Sequence, residues 1–242
     1  MNVDELRDRT SSLKMRKQSL LNDTFLWVKL AIEAVSELPN TKFEFDVPKA
    51  GKPHSTRTVS RADAEKVKNR IINKDIYNSA FITMVASVED YFSKIITLIL
   101  KYDIKRIKCT IQGVNMANTI SVVDVIDNDK ETLIENIVNQ RINSLFYASP
   151  QKQIEYFDAA LGIRIEEDNW EHWIEMKARR DLLVHNAGII NSVYIQKTNR
   201  IYNVKLGDEI IIDYEYFSES VANMKKLVGV LDREIRKQYK RE

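Results

Sequence analysis

Residues 170–191, W-E-H-W-I-E-M-K-A-R-R-D-L-L-V-H-N-A-G-I-I-N, are the stretch that decides the fold and the candidate function. The pattern predicts one helix: acidic residues at 166–168 suit its positive end, and Gly188 stands where a helix would stop. Its polar side chains gather toward the end, and they are Arg179, Arg180, Asp181, His185 and Asn186. Arginine can hold a phosphate and histidine can move a proton, so this helix is the candidate functional element.

The segment Arg180-Asp181-Leu182-Leu183-Val184-His185-Asn186 resembles the R-x4-H signature of the HEPN superfamily, whose arginine is usually followed by a polar residue. The doubled arginine, Gly188 and Tyr194 add to this resemblance. Residues 151–162 and 207–217 also resemble the family's surroundings of the motif. The resemblance covers residues 60–240, and its sharp motif content is confined to 179–188.

The resemblance implies an all-α antiparallel helical bundle, and many HEPN domains are metal-independent endoribonucleases. In HEPN ribonucleases two R-x4-H motifs pair across a dimer interface and form one composite cleft. We therefore expect a homodimer that binds RNA, with Arg180 and His185 as catalytic residues and Asp181, Asn186 and Arg179 in support.

Toxin–antitoxin, abortive-infection and anti-phage roles are common in this superfamily, so an antitoxin or another protein partner is also expected. One HEPN toxin subgroup carries a tyrosine two residues after the histidine, and a partner nucleotidyltransferase modifies it. Position 187 is alanine here, so that control is not expected. The alternative function is a non-catalytic HEPN module that binds RNA or a partner protein.

The chemistry of RNA cleavage matches these residue types. The 2′-OH attacks the adjacent phosphate, and the reaction needs a base, an acid and positive charge on the transition state. Imidazole suits the proton transfers, and a guanidinium stays charged and grips phosphate with several donors. We expect no metal ion and no cofactor, and products ending in a 2′,3′-cyclic phosphate (or 3′-phosphate) and a 5′-hydroxyl.

The spacing of the two candidate catalytic residues poses a geometric problem. Five helical residues turn the side-chain direction by about 500°, which leaves roughly 140° between Arg180 and His185. Either the arginine reaches round, or the helix deforms near Gly188, or a second subunit completes the site. Asp181 aligns with His185 at i, i+4 and could orient the imidazole.

Composition favours one helical domain over residues 1–242, with an N-terminal helix and loop at 1–59 and the motif-bearing bundle at 60–242. Six glycines and four prolines are few for 242 residues, which favours long helices. The single Cys109 excludes an internal disulfide and a cysteine-based zinc site, which fits a reducing, cytoplasmic compartment.

The charged N-terminus lacks the apolar core of a signal peptide, and the apolar runs are too short to span a membrane. Net charge is +2, so any RNA-binding surface must be a local patch.

Other motif-based chemistries lack their signatures: the sequence has no G-x-x-x-x-G-K-[ST], H-E-x-x-H or G-x-S-x-G. His172 lies between two tryptophans of the motif helix and His54 lies in a predicted loop, and neither carries a functional signal.

Apolar periodicity predicts a long N-terminal helix over 5–38. Its seven-residue repeat is Leu6, Leu13, Leu20, Trp27 and Ala34. Two interpretations stay open, a core helix of the bundle and a partner-binding coiled-coil arm. A basic loop follows at 39–59, Ser60 caps a helix to 73, and a longer helix spans 75–102. Glu89 and Asp90 lie beside its apolar face, where a carboxylate could orient a basic catalytic group, or both could be plain surface acids.

The remaining segments alternate between helix and irregular chain. Residues 104–128 predict an irregular excursion with a possible short strand pair, and helices follow at 130–146 and 150–161. The tyrosine- and isoleucine-rich segment 193–212 predicts a β-hairpin. Asp213 caps a last helix. Its basic side, either a solvated face or an RNA-backbone contact, comprises Arg233, Arg236, Lys237, Lys240 and Arg241.

Overall fold

The computed structural model describes residues 1–116, 121–198 and 204–240, and this part of the chain is mostly helical, as predicted. The helices are α1 (Val3–Glu37), α2 (Arg61–Arg70), α3 (Ile76–Tyr102), α4 (Val122–Asp127), α5 (Lys130–Tyr147), α6 (Pro150–Ala159), α7 (Glu167–His185), α8 (Ser192–Lys197) and α9 (Tyr214–Gln238). Buried side chains of α1, α3, α5, α6, α7 and α9 join in one apolar cluster. No helix among the described residues is both long and apolar enough to cross a bilayer.

Helix α3 is the centre of the core and packs against α1, α5, α7 and α9. Its predicted apolar face is confirmed, because every member is buried: Phe81, Val85, Val88, Phe92, Ile95 and Ile99. Ser60 caps α2 as predicted, its hydroxyl accepting the Asp63 N–H. A π-helical turn over Ile71–Asp75 then leads into α3, so the two predicted helices continue without a break.

Helix α1 confirms the long N-terminal helix, but the predicted seam is rotated. Leu20 and Trp27, two members of the predicted seam, are 45% and 51% exposed. A neighbouring face of the helix is buried instead. The buried set is Leu6, Thr10, Lys17, Leu21 and Val28. The prediction failed because it assigned only apolar residues to the buried face. Two polar residues are buried there because their polar groups have partners: the Thr10 hydroxyl donates to the Arg7 carbonyl, and Lys17 pairs with Asp90.

The predicted loop at 39–59 is wrong, because this segment forms the hairpin of β1 (Phe43–Lys49) and β2 (Lys52–Val59). The strands pair antiparallel from Phe43 opposite Val59 to Lys49 opposite Lys52, with an irregularity beside Pro48. Apolar and polar residues alternate along 43–47, and Gly51 takes a φ of 65° in the turn, so the sequence did contain the hairpin signal.

Between α3 and α5 the chain forms a 3₁₀ turn (Ile104–Lys108) and the short helix α4, and no strand lies in its described part. Residues 117–120 of the predicted excursion are outside the described residues. Helices α5 and α6 confirm the next two predictions, and Asp129 caps α5 by accepting the Thr132 N–H.

The predicted hairpin at 193–212 is wrong in its described part, because Ser192–Lys197 is the helix α8. A single antiparallel bridge joins Ile189 to Glu209, and Gly207 turns the chain with a φ of 88°. Residues 199–203 are outside the described residues.

Helix α9 begins after Asp213, which accepts the Tyr216 N–H as predicted. Its predicted core stripe is buried and comprises Phe217, Val221, Met224, Val228, Leu231 and Ile235. On the basic side, Arg236 pairs with Asp232 and donates to Ser11 of α1, while Arg241 is outside the described residues. Part of that predicted basic side therefore ties α9 to α1.

Candidate functional site

The motif helix α7 is fixed between α3 and α9, and its C-terminal end is anchored by a second apolar cluster. Ala178, Leu182, Ile190, Tyr194 and Ile210 form that cluster, which joins α7 to α8 and to the bridge segment. Predicted to end near Gly188, the helix ends at His185. The chain then reverses through Ala187 and Gly188, whose φ angles are 52° and 79°.

Arg179 lies on the side of α7 that faces α8 and α9, and it is only 5% exposed. Its Nε donates to Glu175 Oε1 at 2.7 Å, its Nη1 donates to the Ile211 carbonyl at 3.0 Å, and its guanidinium stacks on the Tyr216 ring at 3.6 Å. The hydroxyls of Tyr194 and Tyr216 donate to the two oxygens of Glu175. This buried network ties three segments together.

The electrostatics of this network keep its donors protonated. Burial and the Glu175 charge raise the pKa of both the Tyr194 and Tyr216 hydroxyls, so both phenols remain hydrogen-bond donors. Burial disfavours the charge on Arg179, but Tyr216 and Glu175 outweigh it and raise the pKa of the guanidinium. Arg179, predicted as a supporting residue of the site, is enclosed by the fold, and its contacts among the described residues are structural.

Arg180 points the other way, toward α3, and its side chain is 19% exposed. Its Nη2 donates to Glu89 Oε2 at 2.6 Å and its Nη1 lies 3.2 Å from Asp181 Oδ1. Lys177 contacts the other oxygen of Glu89 at 2.9 Å. Glu89 thus pairs with two cations of α7. Of the two interpretations of Glu89, a surface acid and a carboxylate beside a basic group of the site, the structure has the second arrangement.

His185 lies at the solvent-exposed end of α7. Among the described residues its ring has no hydrogen bond and no ion pair. Asp181, which was expected to orient it, instead lies between Arg180 and Lys197, whose Nζ is 3.6 Å from Asp181 Oδ2. The structure therefore brings Arg180 and Asp181 together with Glu89 and Lys197, and leaves the imidazole apart.

The spacing problem persists in the folded chain. Helix α7 continues through His185, so it does not deform between the two candidate residues. Arg180 and His185 remain about 7.5 Å apart along the axis and roughly 140° apart around it. Of the three solutions, a reaching arginine and a second subunit remain.

Asn186 has a local structural contact rather than a free side chain. Its Nδ2 donates to the Ile189 carbonyl at 2.5 Å, which helps to fix the turn after α7. This contact holds the residues that follow His185, and the supporting role of Asn186 at the site stays a prediction.

Three charged residues of this region were not predicted: Glu175, Lys177 and Lys197. Glu175 and Arg179 are spaced i, i+4, which is the spacing of a helical ion pair, so the sequence carried that signal. Lys177 carried no such signal, because its partner Glu89 lies on α3. Lys197 carried no signal, since only the fold brings α8 beside Asp181.

The cluster around Arg180 carries a small excess of positive charge. Lys177, Arg180 and Lys197 outnumber Glu89 and Asp181 by one positive charge, and each cation already lies within 4 Å of a carboxylate. No group of three or more histidine, cysteine, aspartate or glutamate side chains within the described residues could hold a metal ion.

Neither the family models, nor the curated proteins, nor the solved structures compared with this chain contain a match.

Proposed function

We propose that this protein is a metal-independent endoribonuclease of the HEPN type, which cleaves RNA by attack of a 2′-OH on the adjacent phosphate. The observation that carries the proposal is the different treatment of two neighbouring arginines. Arg179 is enclosed in the fold, whereas Arg180 is held near the surface by Glu89 and Asp181. The same helix ends in His185, whose ring has no partner among the residues that the structure describes. A fixed cation and a free imidazole are the groups that this reaction requires.

In this proposal His185 moves the protons and Arg180 stabilises the negative charge that develops on the phosphate oxygens. The guanidinium keeps donors beyond those given to Glu89 and Asp181, so a phosphate can be gripped without breaking both ion pairs. Asp181 and Lys197 are the charged neighbours of the Arg180 guanidinium on this side of α7.

The proposal includes a homodimer, which the resemblance to HEPN ribonucleases implies and which suits the chemistry. The reaction needs a base for the 2′-OH and an acid for the leaving oxygen, and each chain offers one exposed histidine at the motif. Two chains related by a twofold axis supply both groups and bring each arginine near the other chain's histidine. The resemblance to HEPN toxins further suggests RNA as the substrate, a defence or toxin–antitoxin role, and an antitoxin or other protein partner.

Rates of RNA cleavage by two variants test the site. His185→Ala should slow cleavage about 10²–10⁴-fold because proton transfer is lost. Arg180→Ala should lose about 10²–10³-fold because charge stabilisation is lost. The double variant should be hardly slower than the worse single variant, since both groups serve one step. His172→Ala on the same helix and the exposed Arg164→Ala are the matched controls.

Purified protein should retain full activity in EDTA and leave cyclic-phosphate ends. A His185→Ala protein that is folded and fully active, or an activity that disappears with EDTA and returns with Mg²⁺, contradicts the proposed mechanism.

Light scattering tests the dimer and should give twice the chain mass of 28.2 kDa at micromolar concentration. Mixing wild-type protein with an excess of His185→Ala protein should lower the activity below that expected from dilution alone, because a mixed dimer supplies only one of the two histidines. A monomer that cleaves RNA at the wild-type rate would contradict the composite site.

One observation favours the alternative, a non-catalytic module that binds RNA or a partner protein. Arg180 is paired with two carboxylates, an arrangement that also serves a purely structural arginine. The alternative predicts RNA binding without cleavage and no loss of binding in His185→Ala.

A further inference from the structure

A cavity of about 330 Å³ lies between α6, the first half of α7 and the end of α8. Its apolar wall is formed by Ile154, Ile165, the nearly buried Trp170 and Ile174, and Gln151 and Thr198 add neutral polar groups. Two exposed carboxylates, Glu167 and Glu171, stand among the lining residues, and neither makes an ion pair with a described residue. The volume falls within the roughly 300–1,000 Å³ typical of ligand pockets.

The cavity adjoins the cluster around Arg180. Lys197 lines the cavity, and its Nζ lies 3.6 Å from Asp181 Oδ2, so this side chain borders both the cavity and the cluster around Arg180. Glu171, Ile174, Asp181 and His185 share one side of α7, because successive steps of three, seven and four residues return to nearly the same direction. From Ile174 to Asp181 the helix advances about 10 Å. A bound strand can therefore run along α7 from His185 past Lys197 to this cavity.

The chemistry of the lining selects the part of a nucleotide that can enter. Unpaired carboxylates repel phosphate and accept hydrogen bonds from N–H groups. Apolar and aromatic walls suit the face of a base, as in proteins that read unstacked RNA bases. Among the RNA bases, guanine presents a ring N–H and an exocyclic amine side by side, and these match the two oxygens of one carboxylate. Adenine has a ring nitrogen acceptor beside its amine, so a carboxylate that accepts from the amine would also face this acceptor, which is unfavourable.

We infer that this cavity is a nucleobase subsite that accepts a guanine close to the scissile phosphate, with Glu171 or Glu167 receiving its N–H groups and Lys197 receiving the intervening phosphate. The inference rests on the proposed ribonuclease function and adds a preference for substrate sequence.

Cleavage of a randomised RNA pool, with sequencing of the new ends, tests the inference. Wild-type protein should enrich guanine at one fixed position near the cut. Glu171→Gln combined with Glu167→Gln should reduce the guanine-to-adenine ratio there about tenfold, since a bidentate contact of this kind discriminates bases by that order. Asp168→Asn removes one charge from the same helical turn but does not line the cavity, and it should keep the preference.

Binding to short 2′-deoxy oligonucleotides, which cannot be cleaved by 2′-OH attack, separates the two proposals. Guanine oligomers should bind more tightly than adenine oligomers, and the double glutamine variant should lose that difference. Guanine-selective binding without any RNA cleavage would keep the subsite and overturn the ribonuclease. Cleavage without base preference, or a preference that survives the double variant, would overturn the subsite alone.

Discussion

The Arg179→Ala variant should have a much lower Tm than the Arg180→Ala variant. The Arg179 guanidinium is buried between Glu175 and Tyr216 and also donates to the Ile211 carbonyl. In Arg179→Ala the Glu175 carboxylate, which is 1% exposed, keeps only hydroxyl donors and loses its opposite charge.

The expected loss follows from the burial of this pair. Removing one partner of a buried ion pair costs about 3–5 kcal/mol. A domain of this size loses about 2–4 °C in Tm for each kcal/mol, so Tm should fall by about 6–20 °C. In Arg180→Ala the Glu89 carboxylate keeps Lys177, so the loss should be about 1 kcal/mol and Tm should fall by about 2–4 °C.

Thermal unfolding followed by circular dichroism, with urea unfolding as a second measure, tests the difference. The double variant Glu175→Gln, Arg179→Met removes both charges and should be more stable than Arg179→Ala, because no unpaired buried charge remains. An Arg179→Ala protein that unfolds within 2 °C of wild type would refute the reasoning, as would a double variant no more stable than the single one. Loss of cleavage in Arg179→Ala would reflect unfolding, which is why Arg164→Ala is the activity control.

Two further variants should stabilise the protein. Burial lowers the pKa of Lys17, and its ion pair to Asp90 at 3.7 Å does not offset this, so Lys17→Met should raise stability by about 1 kcal/mol. Between the lowered native pKa and the unfolded pKa of about 10.4, the unfolded chain binds more protons than the native protein, so wild-type stability rises with pH in that window. Urea titrations should therefore show the gain in unfolding free energy from Lys17→Met narrowing through this window, and a constant gain would contradict the assignment. Ala187 takes a φ of 52°, so Ala187→Gly should raise Tm by about 1–2 °C, and a lower Tm in calorimetry would show that this turn is not strained.

Local patterns in the sequence were sufficient for the helical framework. The buried faces of α3 and α9 follow from apolar residues spaced by three and four, and the caps at Ser60, Asp129 and Asp213 follow from short side-chain acceptors. These signals are local, because helix periodicity and capping depend on residues within one or two turns. The hairpin at 43–59 was also within reach of local patterns, and two prolines hid its alternation.

Where local signals were mixed, the surrounding structure decided the outcome. Residues 193–197 are rich in β-formers, yet they form α8 because Tyr194 must reach Glu175 and the apolar cluster under α7. On α1 the buried Lys17 is compatible with the core only because Asp90 of α3 lies beside it. Neither contact partner is near in sequence, so no local pattern could reveal it.

The sequence by itself determined that a helix carries the string Arg179-Arg180-Asp181 and stops by Gly188. Only the tertiary structure decided which arginine is enclosed in the fold and which stays near the surface. Adjacent helical residues point about 100° apart, and the main local difference between the two is Glu175 one turn before Arg179. Their other partners are distant in sequence: Ile211 is 32 residues from Arg179, and Glu89 is 91 residues from Arg180. The fold brings a buried network to one side of α7 and a carboxylate of α3 to the other, and this determines the role of each side chain.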